Sequence, residues 1–430
     1  MLPRLCQTAF SSISSSEPFI PSSHSLRGGS ANKYNPYIVF LRQPHPSPLS
    51  CSSTCRACLM TNPAYFQVGR LIGSYGFINV TSYSGPQSQS MPGIDHSLVG
   101  AADIGEQLRT QDVGEGSVKI RLYEGRVAQG PLRGTSVVFK VYPGKRAAGV
   151  EADMMAANEL NTHAFLQSVP TGISQNLSIL VGGFETTTGE QWLAFRNDGK
   201  FCAVDYAKIA SEKMSEDSQT FWNGLEAKEK IRHRRKFILK LLHGTMVGLA
   251  FMHKHDRLHQ SLGPSSITLN TVVEKEAVYL IPRLRDLAFS VNIRYPELDD
   301  VHSTFSLQLW RRAAAAGAFS HVEKRAFGIA DDIYEAGLLF AYLAFIPFCQ
   351  AGIMDSLSLR RLLENTFQLD IEAAREYCLA DDRLIAAIRF LDLGDGAGWD
   401  LLQAMLNPDY QKRPTAEAVI NHQFFTGAIS

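Results

Sequence analysis

The chain has 430 residues, 45% of them apolar and 20% charged, with 42 basic residues against 42 acidic ones. That length accommodates one large two-lobed domain plus an extension, and a formal net charge of zero gives no global attraction to nucleic acid or anionic lipid. Seven cysteines, odd in number and scattered, provide no disulfide framework for a chain of this size and suit a reducing compartment.

Residues 1–60 are dense in Ser and Pro, and their basic residues, Arg4, Arg27, Lys33, Arg42 and Arg56, face a single acid, Glu17. No long apolar core follows the start, which argues against a secretory signal. A hydroxylated, acid-poor composition of this kind resembles a chloroplast transit peptide, with a mitochondrial presequence second and a tail without an address third. Arg56-Ala57-Cys58 is a plausible cleavage neighbourhood. Cys51, Cys55 and Cys58 lack a second ligand pair at zinc-site spacing, so they are not read as a metal site.

Residues 61–103 stay rich in Gly, Ser and Pro and read as linker, so the domain is expected to span 104–430. Gly114 and Gly116 precede alternating apolar residues from Ile120 to Tyr123, and Val137-Val138-Phe139-Lys140 follows, a pattern of strand, turn and strand. Glycines at such a turn let backbone amides approach a phosphate closely. A helical pattern runs from Asp153 to Leu166, with Met155, Leu160 and Leu166 on spacings that can share a face. Trp192 to Phe195 reads as a strand, Arg196 to Lys200 as a turn and Ala203 as a helix start. The polar stretch Ser211 to Glu229 reads as a solvated insertion. The longest apolar run, Gly337 to Phe348, follows Asp331, Asp332 and Glu335 and is broken by Pro347 and Gln350. It is too short for a membrane span and is expected as a buried core helix.

The stretch that organises the reading is Met252–Asn270, MHKHDRLHQSLGPSSITLN. It has the cadence of the protein kinase catalytic loop, with His259, Pro264, Ile267 and Leu269 at that loop's His, Pro and apolar strand. Asp331-Asp332-Ile333-Tyr334-Glu335-Ala336-Gly337 and Leu401 to Thr415 resemble two further motifs of the same family. The resemblance implies an α+β, two-lobed protein kinase-like fold with a small β-rich N-terminal lobe and a large helical C-terminal lobe. Its upper part implies Lys140 as the strand lysine that contacts ATP phosphates and Glu159 as its helix partner, with Glu151 the competitor. It further implies Ala194, Phe195 and Arg196 as the adenine-binding hinge, Asp286 as the Mg²⁺ carboxylate, and Asp332 as an acceptor for catalytic-loop amides. Arg413 normally meets the Glu of an Ala-Pro-Glu motif, which is missing. Glu323 is the only acid near enough to replace it.

The departures fall on the chemistry. Ser261 stands in place of the catalytic Asp, Gly263 in place of a phosphate-contacting Lys, and Ser266 in place of a metal-binding Asn. A hydroxyl lacks the carboxylate that accepts the substrate proton, and losing a positioned base typically lowers rate about 10²–10⁴-fold. The expected function is a plastid pseudokinase that regulates or scaffolds protein clients and retains room for ATP and Mg²⁺. The alternatives are an active Ser/Thr kinase with displaced catalytic groups and a scaffold that binds no nucleotide. Gly394-Asp-Gly396-Ala-Gly398 resembles a phosphate loop but follows no βαβ unit, so a turn is expected there.

Overall fold

The structure, a computed structural model, describes residues 59–77, 118–217, 224–294 and 304–427. Alternation of apolar and polar residues builds five strands in its first part: β1 (Phe66–Phe77), β2 (Val118–Val127), β3 (Ser136–Tyr142), β4 (Leu180–Glu185) and β5 (Gln191–Arg196). They form one antiparallel sheet in the order β1-β2-β3-β5-β4. Along β3, Val137, Phe139 and Val141 enter an outer cluster with Met60, Phe66 and Ala194, while Tyr142 enters a second cluster on the other face with α1 (Lys145–Gln167). Lys140 shares the parity of Tyr142, so a one-residue slip would carry its ammonium into the aromatic outer face. Burying each large apolar side chain here stabilises by roughly 1.5–3 kcal/mol, which fixes the register and with it the site.

The linker expected over 61–103 is corrected at its start, because Phe66–Phe77 is the edge strand of the sheet and pairs Phe66 with Val127 through to Phe77 with Val118. Two register shifts, at Val68/Leu71 and Leu71/Gly73, break the period-two pattern that would have marked it. Just before it, Met60 is buried and lies alongside Gly182 of β4, where a Cβ would stand 2.0 Å from the Met60 carbonyl oxygen. In α1, Met155 and Leu160 face the small-lobe cluster, whereas Leu166 joins the helical core, so these three do not share one environment.

The second part contains β6 (Phe201–Cys202), α2 (Ala203–Asp217), α3 (Gly224–Lys254), short strands β7 (Arg257–Leu258), β8 (Ile267–Leu269), β9 (Arg283–Leu284) and β10 (Val291–Asn292), then α4 (Thr304–Ala315) and α5 (His321–Phe345). Helices α6 (Ser356–Arg361), α7 (Ile371–Leu379), α8 (Ile385–Leu391), α9 (Leu393–Met405), α10 (Ala416–Ile420) and α11 (Gln423–Thr426) complete it. The Ser211–Glu229 insertion is also corrected. The described part of this stretch lies in α2 and α3, and buried Ser211 donates to the Cys349 carbonyl at 2.9 Å. Helix α5 starts at a capping box of Ser320 and Glu323 and is almost wholly buried from Phe327 to Phe345. Among the described residues, no helix is long and apolar enough to cross a membrane. At the start of α9, Gly394, Asp395 and Gly396 all have positive φ (66°, 58° and 89°), a left-handed turn that strains the non-glycine residue.

Candidate functional site

The cleft between sheet and helices is organised by Lys140 on β3. Its Nζ donates to Glu159 Oε1 at 2.9 Å and to Asp286 Oδ1 at 2.8 Å, and all three side chains are buried. Glu159 lies on α1, accepts from the Leu287 amide at 3.2 Å, and also takes the Tyr142 hydroxyl. Burial opposes charge on Lys140, but the Asp286 and Glu159 carboxylates outweigh it and hold its pKa well above the ordinary value. Burial likewise pushes the Asp286 carboxyl up, yet the Lys140 ammonium and the Arg285 guanidinium bring it down to about 2. Asp286 itself is left-handed, with φ +67°. Asn158, one residue before Glu159, donates to the carbonyls of Ala288 and Ser290 at 2.8 and 2.9 Å and so fixes the segment after Asp286. Glu151, the other candidate partner, is absent from this cluster.

Residues of the Met252–Asn270 stretch converge below. The His259 and Gln260 amides donate to Asp332 at 2.8 and 2.9 Å, and His253 Nε2 lies 2.9 Å from it. Burial works against ionised Asp332, but the hydrogen bond from His253 and its positive field hold the carboxyl below its usual range. His259 Nε2 lies 3.1 Å from the Arg285 carbonyl, which can only accept, so the proton sits on Nε2. Burial lowers the His259 pKa and keeps that ring neutral. Ser261 donates its hydroxyl to the Asp286 carbonyl at 2.8 Å. Ser266 turns inward, accepting from the Gly263 amide at 3.0 Å and donating to the Gly263 carbonyl at 2.7 Å. Neither serine offers a carboxylate or a carboxamide to the cleft. Asp256 is held by Arg325 and, at 3.8 Å, Arg294, away from it.

Two expectations need adjustment. Ala194, Phe195 and Arg196 are not the inter-lobe connection. They lie in β5 with ladder partners in β3, and Ala194 and Phe195 pair with β4 as well. The crossover is Asn197 to Lys200, where Gly199 (φ +157°) presses against β8 so closely that a Cβ would stand 1.9 Å from the Leu269 carbonyl oxygen. Gly114 and Gly116 lie outside the described residues. Glu323 does not meet Arg413. It caps α5 at the surface, while Arg413 donates to the carbonyls of Asn407 (2.7 Å) and Ala330 (3.1 Å) and stacks over Tyr334 at 4.7 Å. Near it, Arg312 on α4 pairs with buried Asp331, Nη2 to Oδ2 at 2.9 Å.

The sequence reading missed Tyr75. It sits near the end of β1, its hydroxyl donates to Asp286 Oδ1 at 2.8 Å, and its ring centroid is 5.8 Å from Lys140 Nζ. Burial and then the Asp286 charge push its phenol pKa up, so it remains a donor. Gly73-Ser74-Tyr75-Gly76 after an apolar strand was the available signal. His163 is a second omission. It is fully buried on α1, edge-on to Phe195 at 5.0 Å, and among the described residues neither ring nitrogen has a hydrogen-bond partner of ordinary geometry, the Ser178 backbone giving only a weak interaction. Burial lowers its pKa to about 3.

For a nucleotide with Mg²⁺, Lys140, Glu159 and Asp286 have suitable chemistry, but the space does not fit as the cleft stands. The cavity they line, with Tyr75, Phe195, Arg196 and Arg285, has about 60 Å³, against roughly 300 Å³ for a small-molecule pocket. Among the described residues no group of three metal-ligating side chains gathers. A larger cavity of about 350 Å³ lies instead in the helical lobe, between α2, the Leu262–Ser265 loop, α5 and α6.

The sheet order, the α1 contact to β3 and the helical lobe define a protein kinase-like fold. No protein-family model matches the chain, and no curated protein matches it. Among solved structures, a crystal structure of a Stt7 homologue from Micromonas algae soaked with ATP is similar over 73% of this chain and 90% of that chain, at 18% identity and a TM-score of 0.47.

Proposed function

We propose that this is a catalytically silent kinase-fold domain that acts through protein contacts. One observation carries the reading: the base position holds Ser261, and its hydroxyl is spent on the Asp286 carbonyl. The carboxylates lining the cleft are Glu159, Asp198 and Asp286, and each is engaged by a cation. Phosphoryl transfer depends on positioning and charge, and none of the three is free of a cation to accept the proton of a hydroxyl nucleophile. The carboxylates and Lys140 therefore join the lobes. Room for a partner's side chain is greater in the helical-lobe cavity, about 350 Å³, than in the cleft, about 60 Å³. Partners are protein clients. Zero net charge supports neither nucleic acid nor an anionic membrane.

Transfer of label from γ-³²P ATP to the protein or to generic acceptors tests this. No transfer is expected from the wild type, and Ser261→Asp is expected to remain inert, because its new carboxylate would face the Asp286 carbonyl. Transfer by the wild type that disappears in Asp286→Ala would favour an active kinase instead. Ser-rich, acid-poor residues 1–60 address the protein to the chloroplast in this reading. Import of a fluorescent protein carrying residues 1–60 checks that, and cytosolic fluorescence refutes it.

A further inference from the structure

We propose that Tyr75 is a built-in occupant of the cleft, holding the groups that a divalent cation–polyphosphate complex would otherwise take. This inference rests on the reading of the cleft given above and concerns how that cleft is kept closed.

The geometry has three parts. Asp286 Oδ1 receives two donors at once, Lys140 Nζ at 2.8 Å and the Tyr75 hydroxyl at 2.8 Å. On its other side Asp286 Oδ2 lies 3.3 Å from Arg285 Nε. A metal ion approaching this carboxylate would therefore have to displace a phenol, an ammonium or a guanidinium. The ring of Tyr75 also lines the cavity and packs on the cluster of Val118, Ile120, Tyr142 and Ala288. Its removal would enlarge the space beside Lys140 as well as free one oxygen of Asp286.

Charge identifies the ligand class. The cleft holds Lys140, Arg196 and Arg285 against Glu159, Asp198 and Asp286, which is neutral overall. A bare polyanion would gain little there, and a bare cation would meet Lys140. A polyphosphate carrying its own divalent cation supplies both an anion for Lys140 and a cation for Asp286. It can bind only when Tyr75 has left, and its apparent affinity is scaled down by the fraction of molecules in that state.

The test uses the full chain, with MgATP as the probe and binding read by isothermal titration and by the shift in melting temperature. Tyr75→Ala removes both ring and hydroxyl, and is expected to bind MgATP at least roughly tenfold tighter than the wild type, as loss of a hydrogen bond to a charged group allows. Tyr75→Phe keeps the ring and loses only the hydroxyl bond, so its gain is smaller, at roughly threefold or more. Should the alanine protein not fold, the phenylalanine protein decides by the same threefold criterion. The proposal is overturned if folded variants bind within threefold of the wild type. Label transfer is measured on the same variants. Tighter binding without transfer leaves both readings standing, and tighter binding with transfer supports the occupant but defeats the silent-domain reading. Unchanged binding without transfer removes the occupant alone.

Discussion

Asp332 and Asp286, two buried acids that both touch the Met252–Asn270 stretch, have carboxylates satisfied in different ways. Asp332 is met by the backbone amides of His259 and Gln260, with side-chain help from His253 and Gln260. Asp286 is met entirely by side chains, namely Lys140, Tyr75 and Arg285. Backbone donors cannot leave without unmaking the loop, whereas side-chain donors exchange for other partners by rotation. The first centre is therefore architecture, and it is intact. The second depends on side chains that can exchange, and here Lys140, Tyr75 and Arg285 hold it.

The largest expected effect follows from the first centre. Asp332→Ala leaves two amides, His253 and Gln260 without their acceptor, and should cost about 3–5 kcal/mol in chemical denaturation, the range for breaking a buried charge network. Asp286→Ala should cost less, about 1–3 kcal/mol, because Lys140 keeps Glu159 at 2.7 Å. Equal losses in the two variants would break the distinction between the centres.

His163, buried on α1 against Phe195, sharpens the comparison through pH. Its folded pKa is about 3, against roughly 6.5 in an unfolded chain. Above pH 6.5 it is neutral in both states, so its full contribution is present. As pH falls below that value the unfolded state takes up a proton that the folded state refuses. Stability then falls by up to roughly 1.4 kcal/mol per pH unit until the folded pKa is reached. Neutral buried His259, its pKa also lowered by burial, adds in the same direction. His163→Leu should reduce the slope between pH 6.5 and 4.5. It should also stabilise the protein by about 1–2 kcal/mol at pH 7, since two unsatisfied nitrogens give way to apolar atoms. An unchanged slope would place the pH dependence in other groups. The smallest effect, about 1 kcal/mol, is expected from Ser320→Ala at the N-cap of α5. Measured by thermal melting, it should leave nucleotide binding untouched and so calibrate loss of stability alone.

The helical lobe was the more legible half. A helix start at Ala203, the turn after Arg196 and the buried run after Asp332 all follow from pattern, because long apolar stretches and caps leave strong local signals. The edge strand Phe66–Phe77 left a weak one. Its two bulges scramble the alternation, and Leu71 and Ile72 face outward as if they belonged to a loop. Without that strand, Tyr75 had no place in the reading. Spacing can name a lysine and its acid. It cannot show that a tyrosine from a distant strand reaches the same carboxylate, since 211 residues separate Tyr75 from Asp286.

Met60 sets how far the chain can be shortened before the sheet is damaged. Its backbone runs beside Gly182, and its side chain closes the outer aromatic layer above Phe139. A chain beginning at Leu59 would keep this anchor, and one beginning a few residues later would have a missing rung and a hole beneath its sheet.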